Sequence, residues 1–281
     1  MTSPAFADIA FRPRALVWTA AFLALLAALL FPLIMLAARA GRDVTIWEQA
    51  GVIAVATIAV QLLRRATIWE VTGRPTLGWL RELAIGMALG TALMLAPALF
   101  LAIGGWVDFR PTGTGASGLL QAVLLMAGVA IAEELLFRGV LFQRLIDAFG
   151  VWPAQLLLAG LFVLTHLGNP GMEGATKVWA GVNIFAASLL FGMAYLRTRS
   201  LALPIGLHFM ANVTQGIVLG FGVSGASEPS LLAPGFLVQA DWLTGGRFGL
   251  EASLPGLVAV LGLLLLVWRW RRRPLGPIAG S

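Results

Sequence analysis

Residues 119–139 read LLQAVLLMAGVAIAEELLFRG. From Leu119 to Ala132 the run is apolar except for Gln121, and it then meets two adjacent carboxylates, Glu133 and Glu134, followed by Arg138 and Gly139. A segment this hydrophobic belongs in a bilayer. A charge placed there costs about 2.5–3.5 kcal/mol on the insertion scale, so it is rare without a partner or a function. The rest of the chain reads as the scaffold that makes this stretch tolerable and useful.

The composition agrees. Of 281 residues, 59% are hydrophobic and 11% are charged, against about 25% charged in soluble domains. No cysteine is present, which removes disulfides, thiolate metal sites and a cysteine nucleophile. The formal charge is +6. In a soluble chain that excess would suggest nucleic acid. Here it reads as arginines marking the cytoplasmic face, and no nucleic-acid partner is expected.

A span needs about 20 apolar residues. Eight segments qualify: Ala15–Ala38, Trp47–Leu63, Leu83–Trp106, Gly118–Val140, Trp152–Leu167, Val178–Leu196, Leu201–Phe221 and Leu254–Trp270. The expected fold is therefore an all-α polytopic membrane protein of about eight helices. The first segment is longer than the apolar region of a cleaved signal, about 7–15 residues, and reads as a retained span. With both termini in the cytoplasm, fourteen of the nineteen basic residues fall inside and five outside, as the positive-inside rule asks. Tryptophans 18, 47, 79, 106, 152, 179, 268 and 270 fall near span ends, where amphipathic rings settle. Pro32 and Pro97 lie inside spans as kinks.

The chain reads as one membrane domain, 1–281. Its chemical core is 118–216, with an outer loop at 222–253 and a cytoplasmic tail at 271–281. Within the loop the apolar run Leu231–Val238 suggests a short interfacial helix. The surroundings expected are an integral, multi-pass position, in a cell membrane of prokaryotic type.

Three later segments hold polar groups that could answer the two glutamates. His166 closes Phe162-Val163-Leu164-Thr165-His166; His208 and Asn212 bracket His208-Phe209-Met210-Ala211-Asn212. These are the only two histidines, and both fall inside spans. Glu134 and Arg138 stand at i, i+4 in the favourable acid-before-base order, and His208 and Asn212 share a face by the same spacing. Glu133 is rotated about 100° from Glu134. Pairing Glu134 with Arg138 leaves Glu133 free to act as a base.

Each signal also has a plain structural reading. Glu134–Arg138 could be a structural ion pair, His166 a buried histidine bonded to a carbonyl, and Asn212 interhelical glue. Taken together, two carboxylates, an arginine, both histidines and an asparagine form the parts of a hydrolytic site. A carboxylate and a histidine sharing a water can activate it. A histidine and an asparagine can donate to a developing oxyanion, about 2.7–4 kcal/mol per donor. A metal alternative exists: Glu133, His166 and His208 could hold zinc with an open position, although the His-Glu-x-x-His helix is absent.

In this arrangement the chain resembles the CPBP (CAAX-protease and bacteriocin-processing, Abi) intramembrane endopeptidases, related to the type II CAAX prenyl protease. Glu133-Glu134-Leu135-Leu136-Phe137-Arg138-Gly139 matches their EExxxR motif, Phe162–His166 their FxxxH and His208–Asn212 their HxxxN. The resemblance covers about 118–216. It implies an eight-span fold and cleavage of membrane-protein or lipidated (prenylated) peptide substrates. It further implies that Glu133 and His166 activate water, that His208 and Asn212 form the oxyanion hole, and that Glu134 and Arg138 support the site. The glutamate-type mechanism is preferred, with no cofactor. The rival readings are a non-catalytic binding or bacteriocin-immunity protein using the same cavity and, behind it, a proton-coupled transporter. Substrate identity and oligomeric state are not encoded in these motifs.

Depth poses a problem. At about 1.5 Å per residue, Glu133 sits about 24 Å below the outer end of its span, while His166 sits about 21 Å above the inner end of the next. These agree only if the fourth helix continues past Val140 or the fifth begins below the bilayer. The expected cavity is water-filled and open toward the cytoplasm.

Overall fold

The computed structural model describes residues 13–270; Arg12, Arg271–Arg273 and the expected tail 271–281 lie outside the described residues. The chain runs α1 (Pro13–Arg39), α2 (Ile46–Leu63), a short α3 (Trp69–Thr72), α4 (Leu77–Ile103), β1 (Val107–Pro111), α5 (Ala116–Arg138), α6 (Val140–Phe149), α7 (Val151–His166), α8 (Gly174–Thr198) and α9 (Ala202–Asn212). It continues through a π-helical turn (Val213–Val218), β2 (Leu232–Phe236), α10 (Asp241–Thr244), a 3-10 turn (Leu250–Ala252) and α11 (Leu254–Arg269). The protein is an all-α polytopic membrane protein. Segments Pro13–Arg39, Ile46–Leu63, Leu77–Ile103, Ala116–Phe149 and Gly174–Thr198 are long and apolar enough to span, and Val151–His166 and Leu254–Arg269 are shorter apolar helices.

Local chemistry sets the boundaries. Thr45 caps α2 in a full capping box with Glu48, each satisfying a backbone donor the helix start leaves open. Thr76 caps α4 and Ser253 caps α11, with Pro255 in the first turn of α11. Arg199 ends α8 in a left-handed conformation.

Two parallel pairs fix the topology. On α4, a Cβ at Gly86 would strike Leu203 O and Leu207 N, and one at Gly90 would strike Leu207 O and Ala211 N. On α9, a Cβ at Gly206 would strike Leu83 O. The two backbones therefore touch along a glycine seam, both running the same way, with small residues permitting the approach. In α8 and α11, Asn183 Nδ2 donates to Ser253 O (3.2 Å) and, fourteen residues on in both helices, Arg197 Nε donates to Val267 O (3.0 Å). The helix ends thus fall on two faces. The terminal face carries Pro13, the 64–76 link, Gly150, the 199–201 turn and Arg269. The distal face carries the 40–45, 104–115 and 167–173 links and the long segment 219–253.

Two features depart from the sequence reading. The run Leu231–Val238 is not a helix: Leu232–Phe236 pairs antiparallel with Val107–Pro111, Phe109 opposite Pro234. Pro234 and Gly235 disfavour a helix there, and β1 supplies a ladder. Arg138, counted among the cytoplasmic markers, is instead buried in the interior at 2% exposure.

The depth problem is resolved in the first of the two ways foreseen. After a break at Gly139 (φ −75°, ψ −132°), the polypeptide continues as α6 to Phe149 and turns at Gly150 into α7. Glu133 stands sixteen residues before Phe149 and His166 fifteen after Val151. Measured from the shared turn, the two are level.

Candidate functional site

Glu134 lies at the centre of the buried charge. Its side chain is fully buried and Arg138 Nη1 donates to its Oε1 at 3.2 Å, one helical turn away. Arg138 Nη2 donates to the Ser188 carbonyl (3.0 Å) and hydroxyl (2.9 Å) on α8. Three rings close around the guanidinium: Phe162 at 5.0 Å, Phe191 at 5.2 Å and Phe137 at 5.8 Å. Ring faces attract a cation and exclude water, so the pair is both satisfied and sealed.

The same Glu134 oxygen accepts from His208 Nδ1 at 2.9 Å, across from α9. Phe191 stacks on the His208 ring, with centroids 4.7 Å apart and planes 11° apart. These contacts set the ring's orientation and direct Nε2 toward Glu133, whose Oε2 lies 3.9 Å away. That separation is too long for a hydrogen bond. Glu133 Oε2 makes no hydrogen bond, although the side chain is only 26% exposed.

His166 Nδ1 lies 2.7 Å from Phe162 O and 3.3 Å from Thr165 Oγ1. A carbonyl can only accept, so Nδ1 carries a proton, and in the neutral ring Nε2 keeps its lone pair. Asn212 closes α9, buried.

Glu133, His166, His208 and Asn212 line one cavity of about 310 Å³. Its wall on α5 is apolar, through Leu125, Met126 and Val129, and its rim is Asn169, Pro170, Ser224, Ala226 and Glu228. A narrower extension of about 50 Å³, shared by His166, His208, Asn212 and Ser224, leads between α4, α8 and α11. Apart from the exposed Thr165 at the distal end of α7, the exposed lining residues belong to the 167–173 and 219–253 segments, so the cavity opens on the distal side of the site. The expected opening toward the face of the termini is therefore not found. Below the site the guanidinium and its three rings block the way, backed by Leu203 and Leu207 at 0% exposure.

Several residues here carried no sequence signal. Ser188 sits outside every motif. Glu251 ties the distal segment down, accepting from Gln215 Nε2 (2.8 Å), Ser224 N (3.2 Å) and Ser224 Oγ (2.9 Å). Glu228 makes no hydrogen bond or ion pair among the described residues, and burial pushes its carboxyl above the ordinary range.

A zinc ion is a fair test of this donor set. Nδ1 of each histidine is already engaged, and Glu134 serves both Arg138 and His208. Among the described residues no three His, Asp or Glu side chains converge as ligands. Nδ1 engagement by a carbonyl or a carboxylate is also what orients a zinc-ligating histidine, whose Nε2 then faces the metal.

Comparison with known proteins supplies the remaining evidence. No curated protein matches the chain significantly. Residues 115–214, from the start of α5 into the π-helical turn, match the family model described as type II CAAX prenyl endopeptidase Rce1-like. That match spans 100 of the 281 residues and covers the elements that carry Glu133, Glu134, Arg138, His166, His208 and Asn212, so this stretch of the chain is similar to that family.

Proposed function

We propose that this protein is an intramembrane endopeptidase that cleaves membrane-associated peptides with a water activated by Glu133 and His166, without a metal. One observation carries the reading: Glu133, whose Oε2 makes no hydrogen bond, lines a single cavity with His166, His208 and Asn212. The water would sit between the Glu133 carboxylate and His166 Nε2. It attacks the scissile carbonyl carbon and forms the new C–O bond. Its proton passes to Glu133 and then to the departing amine as the C–N bond breaks.

The carbonyl oxygen gains negative charge and needs donors. Asn212 supplies an amide N–H. His208 supplies Nε2–H when the ring holds both protons, Nδ1–H remaining on Glu134. In that state two carboxylates, Glu133 and Glu134, balance two cations, Arg138 and His208, and the buried site is neutral overall. Glu134 and Arg138 act as positioning residues: they hold His208 without touching substrate.

The test is Glu133→Gln, near in shape but no base. Cleavage of a quenched, farnesylated C-terminal peptide by detergent-purified protein should fall by about 10²–10⁴, with membrane insertion and thermal stability unchanged. Full activity in that variant would remove the mechanism. A phenotype in cells that survives Glu133→Gln would transfer support to a non-catalytic binding protein. Activity that resists strong chelators fits the metal-free route, and stoichiometric zinc bound through the histidines would reverse it.

A further inference from the structure

We propose that substrate reaches this site from the arginine-poor, distal side of the membrane, so that the peptides processed are membrane-tethered segments whose scissile bond lies beyond the bilayer from the cytoplasm. The inference rests on the proteolytic reading above and adds the side of access and the substrate class.

Three independent observations lead there. The first is the rim. Of the lining residues in contact with the surroundings, Pro170, Ala226 and Glu228 lie on distal segments and Thr165 lies at the distal end of α7. Toward the terminal face the floor is the Glu134–Arg138 pair under Phe137, Phe162 and Phe191, closed beneath by Leu203, Leu207 and Tyr195, each at most 1% exposed. A peptide coming from that face would have to displace a buried ion pair and its aromatic seal.

The second is charge. With Arg138 removed from the tally, nine described basic residues lie at the terminal face, including Arg64, Arg144, Arg197 and Arg269, against five at the distal face. In the sequence Arg12 directly precedes Pro13, and Arg271–Arg273 follow Trp270. Ion pairs form on both faces, Arg42–Glu48 (2.7 Å) and Arg110–Asp108 (3.2 Å) on the distal one and Arg64–Glu70 (3.0 Å) and Arg144–Asp147 (2.8 Å) on the terminal one, so pairing does not reverse the excess of basic residues. By the positive-inside rule the terminal face is cytoplasmic and the distal face is exterior.

The third is the apolar flank. Leu125, Met126 and Val129 line the cavity on α5 between the distal face and Glu133. They give an apolar peptide held in the outer leaflet a surface to follow down to the acid.

The absence of cysteine makes a clean test possible. Ser227→Cys reports the exposed distal segment beside the rim and Thr67→Cys the exposed link at the terminal face. In intact cells a membrane-impermeant maleimide should label Ser227→Cys, and should label Thr67→Cys only after permeabilisation. The reverse pattern overturns the proposal. In detergent, a bulky maleimide on Ser227→Cys should remove most of the kcat/KM for the quenched farnesyl peptide, while the same adduct on Thr67→Cys leaves it intact. Loss confined to the Thr67→Cys adduct likewise overturns it. The two readings fail separately: cleavage that survives Glu133→Gln defeats the mechanism whichever cysteine labels, and an inverted labelling pattern defeats the side of access even when Glu133→Gln is inactive.

Discussion

Removing one partner of the buried pair should be far more damaging than removing both. Glu134 and Arg138 are 0% and 2% exposed and 3.2 Å apart. Glu134→Leu would leave the guanidinium with only Ser188 and three ring faces, and Arg138→Leu would leave a carboxylate facing His208 alone. Breaking a buried pair from one side typically costs about 3–5 kcal/mol, because the surviving charge stays desolvated, whereas replacing both partners by apolar groups is often neutral or stabilising. Each single variant should therefore lose about 3–5 kcal/mol, and the double variant should lie within about 2 kcal/mol of the parent. The coupling energy should exceed about 3 kcal/mol, the upper end for residues in contact. Unfolding by SDS in mixed micelles, followed by tryptophan fluorescence, measures all four corners of the cycle. Peptide cleavage should be weak in every variant, since His208 Nδ1 has lost its acceptor or that acceptor's counter-charge. Additive losses in the double variant would refute the argument, because they would mean that neither charge depends on the other for its place in the interior.

Further outcomes follow from other contacts. Gly90→Leu should cost about 1–3 kcal/mol or more, since a side chain there meets the Leu207 carbonyl on α9; the same unfolding assay reads it, with Gly51→Leu, which meets open space, as the control. Glu251→Ala should cost about 1.5–3 kcal/mol through its lost charge-assisted bonds to Gln215 and Ser224, and limited proteolysis should then cut the 219–253 segment first. For Glu228, burial favours the protonated form, so its contribution to stability is full below the ordinary glutamate value of about 4.3 and is lost as pH rises through the higher folded-state value. Glu228→Gln stays neutral, so its Tm should exceed the parent's at neutral pH and match it at the acid end.

The helical framework was readable because hydropathy is a local signal. The eight expected spans fall within a few residues of the helices, except at the start of α4, which begins at Leu77 rather than Leu83; the run Leu77–Glu82 contains Arg81 and Glu82, which mask its apolar character. The Glu134–Arg138 pairing was also readable, since i, i+4 spacing is geometry within one helix. Contacts between helices were not. Nothing near Glu134 announces that its oxygen also receives His208, and nothing around Ser188 marks it as the far anchor of Arg138. The β1–β2 ribbon joins residues more than a hundred positions apart, and although Val107-Asp108-Phe109-Arg110 alternates apolar and polar residues, its partner Leu232–Phe236 does not. The direction of the cavity mouth was hidden for a related reason. It depends on how loops fold over the helix ends, and loop sequence constrains that weakly. Arg138 misled as a topology marker because a sequence count cannot separate a buried guanidinium from one at the membrane edge.

The glycine seam between α4 and α9 has a consequence for how this catalyst could be built or borrowed. His208 and Asn212 owe their position to a backbone laid directly against Gly86 and Gly90, and both glycines precede the 115–214 segment that carries every motif. The working part is thus mounted on a jig supplied from outside itself. A transplant limited to the motif-bearing segment would leave the donor pair without its bench, so helix 77–103 has to travel with any graft meant to keep the geometry.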